Sequence, residues 1–190
     1  MIKNQKMKKI LFVACFLFSA AGLRAQMVAV NTDVLMDVLQ MPAIGAEVVV
    51  GERSTLSMNA FGGYHPWGKK MKALGLQPEY RYYFSGRPMS RYFVGIGALV
   101  TSHDITWKRK VYDGNAFGGG LTFGYVLSIN KRLNVDFHAG FGAIVYRQKE
   151  YYEGDFYDED YSINGVIRTN ATGYTLLPTR LGISLSYILK

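Results

Sequence analysis

Five ionisable residues sit where the surrounding sequence is otherwise apolar or glycine-rich: Glu47, Glu79, Arg81, Asp136 and His138. Each falls on the small or polar side of a segment whose alternate residues are greasy. Asp136 and His138 interleave with Val135 and Phe137, and Glu79 and Arg81 with Tyr80 and Tyr82. Charge out of water survives only when it is paired and hydrogen-bonded. Three acids, a guanidinium and an imidazole on neighbouring strands would therefore form one ion-pair network. Two kinds of chemistry follow. The network rigidifies and plugs a narrow interior, or it carries protons or ions through it. The plug is the simpler reading, because a fully satisfied network fills a polar core without further parts.

Other constellations are weaker. Ser102-His103-Asp104 has the residue types of a hydrolytic triad. Adjacent residues of an extended chain point to opposite sides, so these three cannot line up as nucleophile, base and orienter. His65, or His103 with Ser102, could serve a lipid-modifying enzyme at a membrane rim, but nothing in the spacing favours it, and no enzyme is expected. No glycine-rich loop leads a strand into a helix, so no phosphate cradle is present. The single cysteine, Cys15, lies in the leader region. No disulfide framework and no Cys-ligated metal is therefore expected, and no cofactor or other metal is called for.

Two further groups belong on connecting segments. Between residues 150 and 161, carboxylates alternate with aromatics: Tyr151, Tyr152, Asp155, Phe156, Tyr157, Asp158, Asp160 and Tyr161. Rings beside carboxylates suit a sugar, a cation or a protein partner, and loops on a rigid scaffold often carry such roles. EF-hand spacing is absent. Basic clusters at Lys69, Lys70 and Lys72, and at Lys108, Arg109 and Lys110, would meet the phosphates of lipopolysaccharide through charge-assisted contacts.

The elements that must position these residues are strands. Period-2 alternation recurs in eight segments: 27–34, 43–51, 55–65, 76–84, 91–101, 115–129, 133–147 and 177–189. The last is the clearest, with Leu181, Ile183, Leu185, Tyr187 and Leu189 against Gly182, Ser184 and Ser186. The links at 35–42, 66–75, 102–114 and 148–176 read as longer than those between them, the rhythm of a barrel with short turns at one end and loops at the other. Aromatics cluster near strand ends on the apolar face: Tyr64, Tyr80, Tyr82, Phe84, Tyr92, Phe117, Tyr125 and Tyr187. Such rings form interfacial girdles. The competing reading, a soluble barrel or sandwich, would use the same alternation with the faces turned round.

Residues 1–25 read as a cleaved export signal. Lys3, Lys6, Lys8 and Lys9 precede the apolar run 10–21, and Leu23-Arg24-Ala25 suits a peptidase. Met7 is an alternative start. The signal holds five basic residues and no acid, so the net charge of +8 falls to +3 for residues 26–190. That is no signature of nucleic-acid binding.

Several stretches resemble a Bacteroidetes family known as domain of unknown function 3575. They are Asn31-Thr32-Asp33, Gly45-Ala46-Glu47-Val48, Tyr64-His65-Pro66-Trp67, the run from Leu76 to Tyr83, and the run from Pro178 to Leu185. The resemblance implies an outer-membrane barrel, in some cases encoded near fimbrial genes, and brings no activity with it. The expectation is an all-β, eight-stranded antiparallel transmembrane β-barrel over residues 26–190. It would be a monomer in the outer membrane, in contact with lipid and lipopolysaccharide, with a cell-surface protein or glycan as partner. A structural or surface-interaction role leads. A narrow pore or transport accessory comes second and a lipid-modifying enzyme third.

Overall fold

A computed structural model describes residues 27–154, 162–163, 166–167 and 169–189. The elements are β1 (Val28–Asp33), α1 (Val34–Val38), β2 (Ala43–Val49), β3 (Ser54–Tyr64), β4 (Met71–Tyr83), β5 (Arg91–Trp107), β6 (Lys110–Ser128), β7 (Leu133–Tyr152), β8 (Ser162–Ile163), β9 (Val166–Ile167) and β10 (Ala171–Ile188). Eight strands close a barrel in the order β1, β10, β7, β6, β5, β4, β3, β2. Every neighbouring pair is antiparallel, and β1 completes the ring by pairing with both β10 and β2. β8 and β9 form a separate two-residue ladder.

Alternation decides the two faces. On β7, Phe137 and Phe141 are 43% and 57% exposed, while Asp136 and His138 are each 3% exposed. The same division holds along β4, where Leu76, Tyr80 and Tyr82 face outward and Glu79, Arg81 and Tyr83 are buried. The fold is therefore a barrel with a greasy exterior and a polar interior.

The outer band has a defined upper edge. Its apolar rows give way to polar residues at Lys72 on β4, Ser102 on β5, Asn115 on β6 and Arg147 on β7. Three of these are neighbours in register: Ser102 pairs with Asn115, and Asn115 with Arg147, while Lys72 pairs with Asp104, two residues past Ser102. The outward row from Val135 to Val145 covers roughly 33 Å along the strand. At the usual barrel tilt this is about 24 Å of height.

The strand count agrees with the sequence, but several boundaries do not. The link expected at 102–114 is almost wholly strand. Trp107 and Lys110 pair, and only Lys108 and Arg109 turn the chain, both with positive φ. The links expected at 66–75 and 148–176 also shrink, because β4 begins at Met71, β7 runs to Tyr152 and β10 begins at Ala171. The alternation of longer and shorter links is thus not kept. Above the apolar band the strands lose period-2 hydrophobicity but keep their ladder hydrogen bonds, so the pattern disappears while the strand continues.

α1 is a further departure, lying in the link expected at 35–42. Asp33 caps it, its Oδ1 accepting hydrogen bonds from the backbone N–H groups of Leu35 at 3.0 Å and Met36 at 3.2 Å. The barrel wall is consequently uneven. β1 and β2 are short, while β5, β6, β7 and β10 rise together beyond the band as a four-stranded sheet.

Candidate functional site

The inward row of β4 carries the central cation. Arg81 Nη1 lies 2.6 Å from Asp136 Oδ2 of β7 and 3.3 Å from Glu47 Oε2 of β2. Its Nε donates to Glu79 Oε2 at 2.8 Å. The guanidinium carbon sits 4.5 Å from the centroid of the Phe93 ring, a cation–π contact on its remaining face. Arg81 is 1% exposed, so one planar fork serves three buried carboxylates drawn from three strands.

Each acid has more than one partner. Thr55 and Tyr83 donate to Glu47 Oε1 at 2.6 and 2.8 Å. Arg180 Nη1 reaches Glu79 Oε2 at 2.5 Å, across the interior from β10. His138 lies between two carboxylates, with Nε2 3.2 Å from Asp33 Oδ2 and Nδ1 3.7 Å from Asp136 Oδ1. Neither contact has hydrogen-bond geometry, and among the described residues Glu79 Oε1 and Asp136 Oδ1 also have no hydrogen-bond partner. Gly182 makes room for this triple. A Cβ there would collide with the Asp33 carboxylate and the His138 ring.

The five residues expected to meet, Glu47, Glu79, Arg81, Asp136 and His138, therefore do meet. Asp33, Tyr83 and Arg180 join them and were not among the expected site residues. Their signal was present, since each occupies an inward position of its strand by alternation. Arg180 was obscured because the ladder shifts between Pro178 and Arg180, which breaks the period just before it.

Apolar clusters flank the network on both sides. Tyr83, Phe93 and Val126 pack together toward the end nearest the chain termini. Leu99, Ala116 and Ile144, with Phe61 and Tyr146 against them, pack toward the other. A pocket of about 20 Å³ beside Glu79 has room for a single water. A larger cavity of about 210 Å³ lies under α1 and is reached by Arg180, Asn59 and Phe61.

A second polar group crowns the tall sheet. Lys110 Nζ pairs with Glu150 Oε2 at 2.6 Å, Gln148 donates to Glu150 Oε1 at 2.8 Å, and His103 Nε2 lies 3.0 Å from Gln148 Oε1. The hydrogen bond from Lys110 is the main cause holding the Glu150 carboxyl below its ordinary range; that from Gln148 comes next. The hydrogen bond to Glu150 in turn raises Lys110. Lys70 pairs with Glu153 at 2.5 Å. Lys69, Lys70, Lys72, Lys108, Arg109 and Lys110 all lie toward this end, on the β3–β4 and β5–β6 connections or the strands leaving them. Ser102, His103 and Asp104 alternate outward, inward and outward, as expected of an extended run.

Tyr151 and Tyr152 end β7. Asp155, Phe156, Tyr157, Asp158, Asp160 and Tyr161 lie outside the described residues, as do the signal segment 1–25 and Cys15. Among the described residues no group of three or more His, Cys, Asp or Glu side chains is placed to hold a metal ion. Among the described residues no helix is long and apolar enough to cross a membrane, which does not bear on crossing by strands.

Fold and interior together define a small closed β-barrel with an ion-paired core. The chain belongs to the family described as proteins of unknown function, DUF3575, whose family model matches residues 10–189. No curated protein and no solved structure matches it.

Proposed function

We propose that the protein is an outer-membrane β-barrel with a non-enzymatic structural or surface-interaction role, exported by a signal at residues 1–25 that is then removed. One observation carries this reading: a continuous apolar outer band, ended in register by polar residues, around an interior of paired charge. In water that band would be a large exposed apolar patch of the kind soluble monomers avoid. In a bilayer it is the matching surface, and ring closure satisfies the strand hydrogen bonds that lipid cannot.

The sheet of β5, β6, β7 and β10 would then stand outside the bilayer and present its tip to the surroundings, with Tyr151 to Tyr161 as the candidate contact residues. Its basic residues suit lipopolysaccharide phosphates. Its rings and acids suit a cell-surface protein or a glycan. One chain closes the ring, so a monomer suffices, and nothing in the charge calls for nucleic acid. The two apolar clusters argue against a conducting lumen, because each places desolvating side chains across the path of an ion.

Membrane fractionation with a heat-modifiability gel tests the location. The expected result is an outer-membrane protein whose unboiled form migrates differently from the boiled form. Material that stays soluble without detergent would end the reading. Deleting residues 155–165 should preserve the heat-modifiable band and abolish partner or cell binding. Retained binding would remove the loop from the role.

A further inference from the structure

One edge of β10 is open. Its lower part pairs with β7 on one side and β1 on the other, but β1 ends at Asp33, opposite Ser184. Above that point only the β7 side carries a ladder. β2 in turn begins at Ala43, opposite Phe61 of β3. A gap therefore separates β10 from β3, and the segment 34–42, containing α1, bridges its lower part. Met36 of α1 meets β10 around Pro178 to Leu181, where these residues line one cavity.

The register shows which backbone groups are left over. Glu150 N donates to the Asn170 side chain and Glu150 O accepts from it, so Glu150 turns its backbone toward β10. Alternate residues of β7 below it do the same. Their partners on β10, Gly173, Thr175 and Leu177, are thus bonded to β7. Thr172, Tyr174, Leu176 and Pro178 turn their backbone the other way, into the gap. Among the described residues no hydrogen bond reaches those groups. Pro178 alone of the four has no N–H, and proline in a sheet is confined to edges of this kind.

Side-chain packing gives a second, independent sign of a missing neighbour. Leu177 pairs with Gly142 and points inward, yet it is 45% exposed. Leu99 and Ile144, inward-facing on β5 and β7, are 8% and 9% exposed. On the outer face beside it, Tyr174 is 83% exposed.

Regularly spaced free N–H and C=O groups match another extended backbone. Lipid tails offer them neither donor nor acceptor, and each group left unpaired in hydrocarbon costs several kcal/mol. A second copy of the chain fits poorly. In one membrane both copies point the same way, so two β10 strands would run parallel. A two-fold axis along the membrane normal would then set identical gap-facing residues at equal heights, whereas a parallel ladder staggers them.

We infer that the edge of β10 from Thr172 to Pro178 docks an extended segment of a partner protein, added as a strand antiparallel to β10. The segment carries apolar side chains outward, beside Tyr174 and Leu176, and one inward side chain that covers Leu177. It has no proline where it pairs with Thr172, Tyr174 or Leu176. This names the kind of partner for the surface-interaction role proposed above and rests on that reading.

A synthetic peptide of residues 140–148 serves as the probe, because that sequence already pairs with this stretch of β10 on its other side. Labelled peptide is titrated onto discs of dioleoyl phosphatidylcholine that hold one copy of the protein, with empty discs as the blank. The expected result is saturable binding, with amide exchange at Thr172, Tyr174 and Leu176 slowed by the peptide. Leu176→Pro removes a donor that the β7 ladder does not use. It should keep the heat-modifiable band and weaken the peptide about tenfold, the equivalent of one hydrogen bond. Leu176→Ala, which keeps the donor, should bind within a few-fold of wild type. If L176P does not give the heat-modifiable band, Thr172→Pro takes its place. Equal binding to L176P or to empty discs would overturn the inference, as would no binding. Slow exchange at the three amides that appears only in discs holding two copies would assign the edge to a second copy and overturn it too. Each of these results leaves the membrane reading intact. Wild-type protein that stays soluble without detergent would remove that reading instead.

Discussion

Arg81 holds three carboxylates that come from strands distant in sequence, and its removal tests how far the interior depends on one cation. Arg81→Met would leave Glu47 buried without an ion-pair partner, Asp136 with His138 alone and Glu79 with Arg180 alone. Breaking a buried pair from one side costs about 3–5 kcal/mol. The urea midpoint of the heat-modifiable form should fall accordingly, and an unchanged midpoint would mean the acids find other partners. Gly182→Ala tests the neighbouring triple. Its Cβ would press on Asp33 and His138, an overpacking cost of roughly 1–3 kcal/mol, read by the same assay. At the β5–β6 tip the sign reverses. Lys108 and Arg109 hold φ of 50° and 66°, which costs an L-residue roughly 1–2 kcal/mol. The pair K108N/R109G, matching the residues such two-residue turns prefer, should raise unfolding resistance. A surface role for the two cations would show as weaker lipopolysaccharide binding by that same variant.

Among the elements, β6 and β7 meet near their tip through Lys110 and Glu150. The carboxyl is depressed, so its contribution is present above its unfolded value and fades as pH falls through the folded one. The ammonium is raised, so its contribution is present below its unfolded value and fades as pH climbs through the folded one. The contact should therefore hold from about pH 6 to about pH 9. Hydrogen exchange at the β6–β7 tip, corrected for its intrinsic pH dependence, should show constant protection over that span and a loss in acid. Glu150→Gln should abolish the acid step. Asn170 adds a second clasp, donating through Nδ2 to Glu150 O and accepting from Glu150 N, each at 2.8 Å. This side-chain pairing extends the β7–β10 ladder past the point where β10 begins.

For the whole molecule, the decisive property is the inversion of faces. A polar core would be a poor way to fold in water, because the apolar surface would gain nothing from burial. In lipid the exterior needs no burial, and the interior is held by charge pairs and hydrogen bonds instead. Apolar clusters on both sides of the charge network predict that the protein in planar bilayers gives no discrete conductance steps. Steps that survived in Leu99→Phe, which would enlarge one cluster, would show that the path avoids it.

Alternation alone determined the eight strands and which face holds Glu47, Glu79, Arg81, Asp136 and His138. A period of two is a local property of an extended chain, so it can be read without knowing the partners. Tertiary structure decided the rest. The strands run past the apolar band because ladder hydrogen bonds do not depend on side-chain polarity, so β5 through β7 continue where the pattern stops. Arg180 and Asp33 enter the network only because the bulge in β10 and the closure of β1 on β10 bring them against Glu79 and His138. The gap bridged by α1 is likewise a matter of register: two strands are short while their neighbours are long. Strand length relative to a neighbour is a property of the pair, and no single segment contains it.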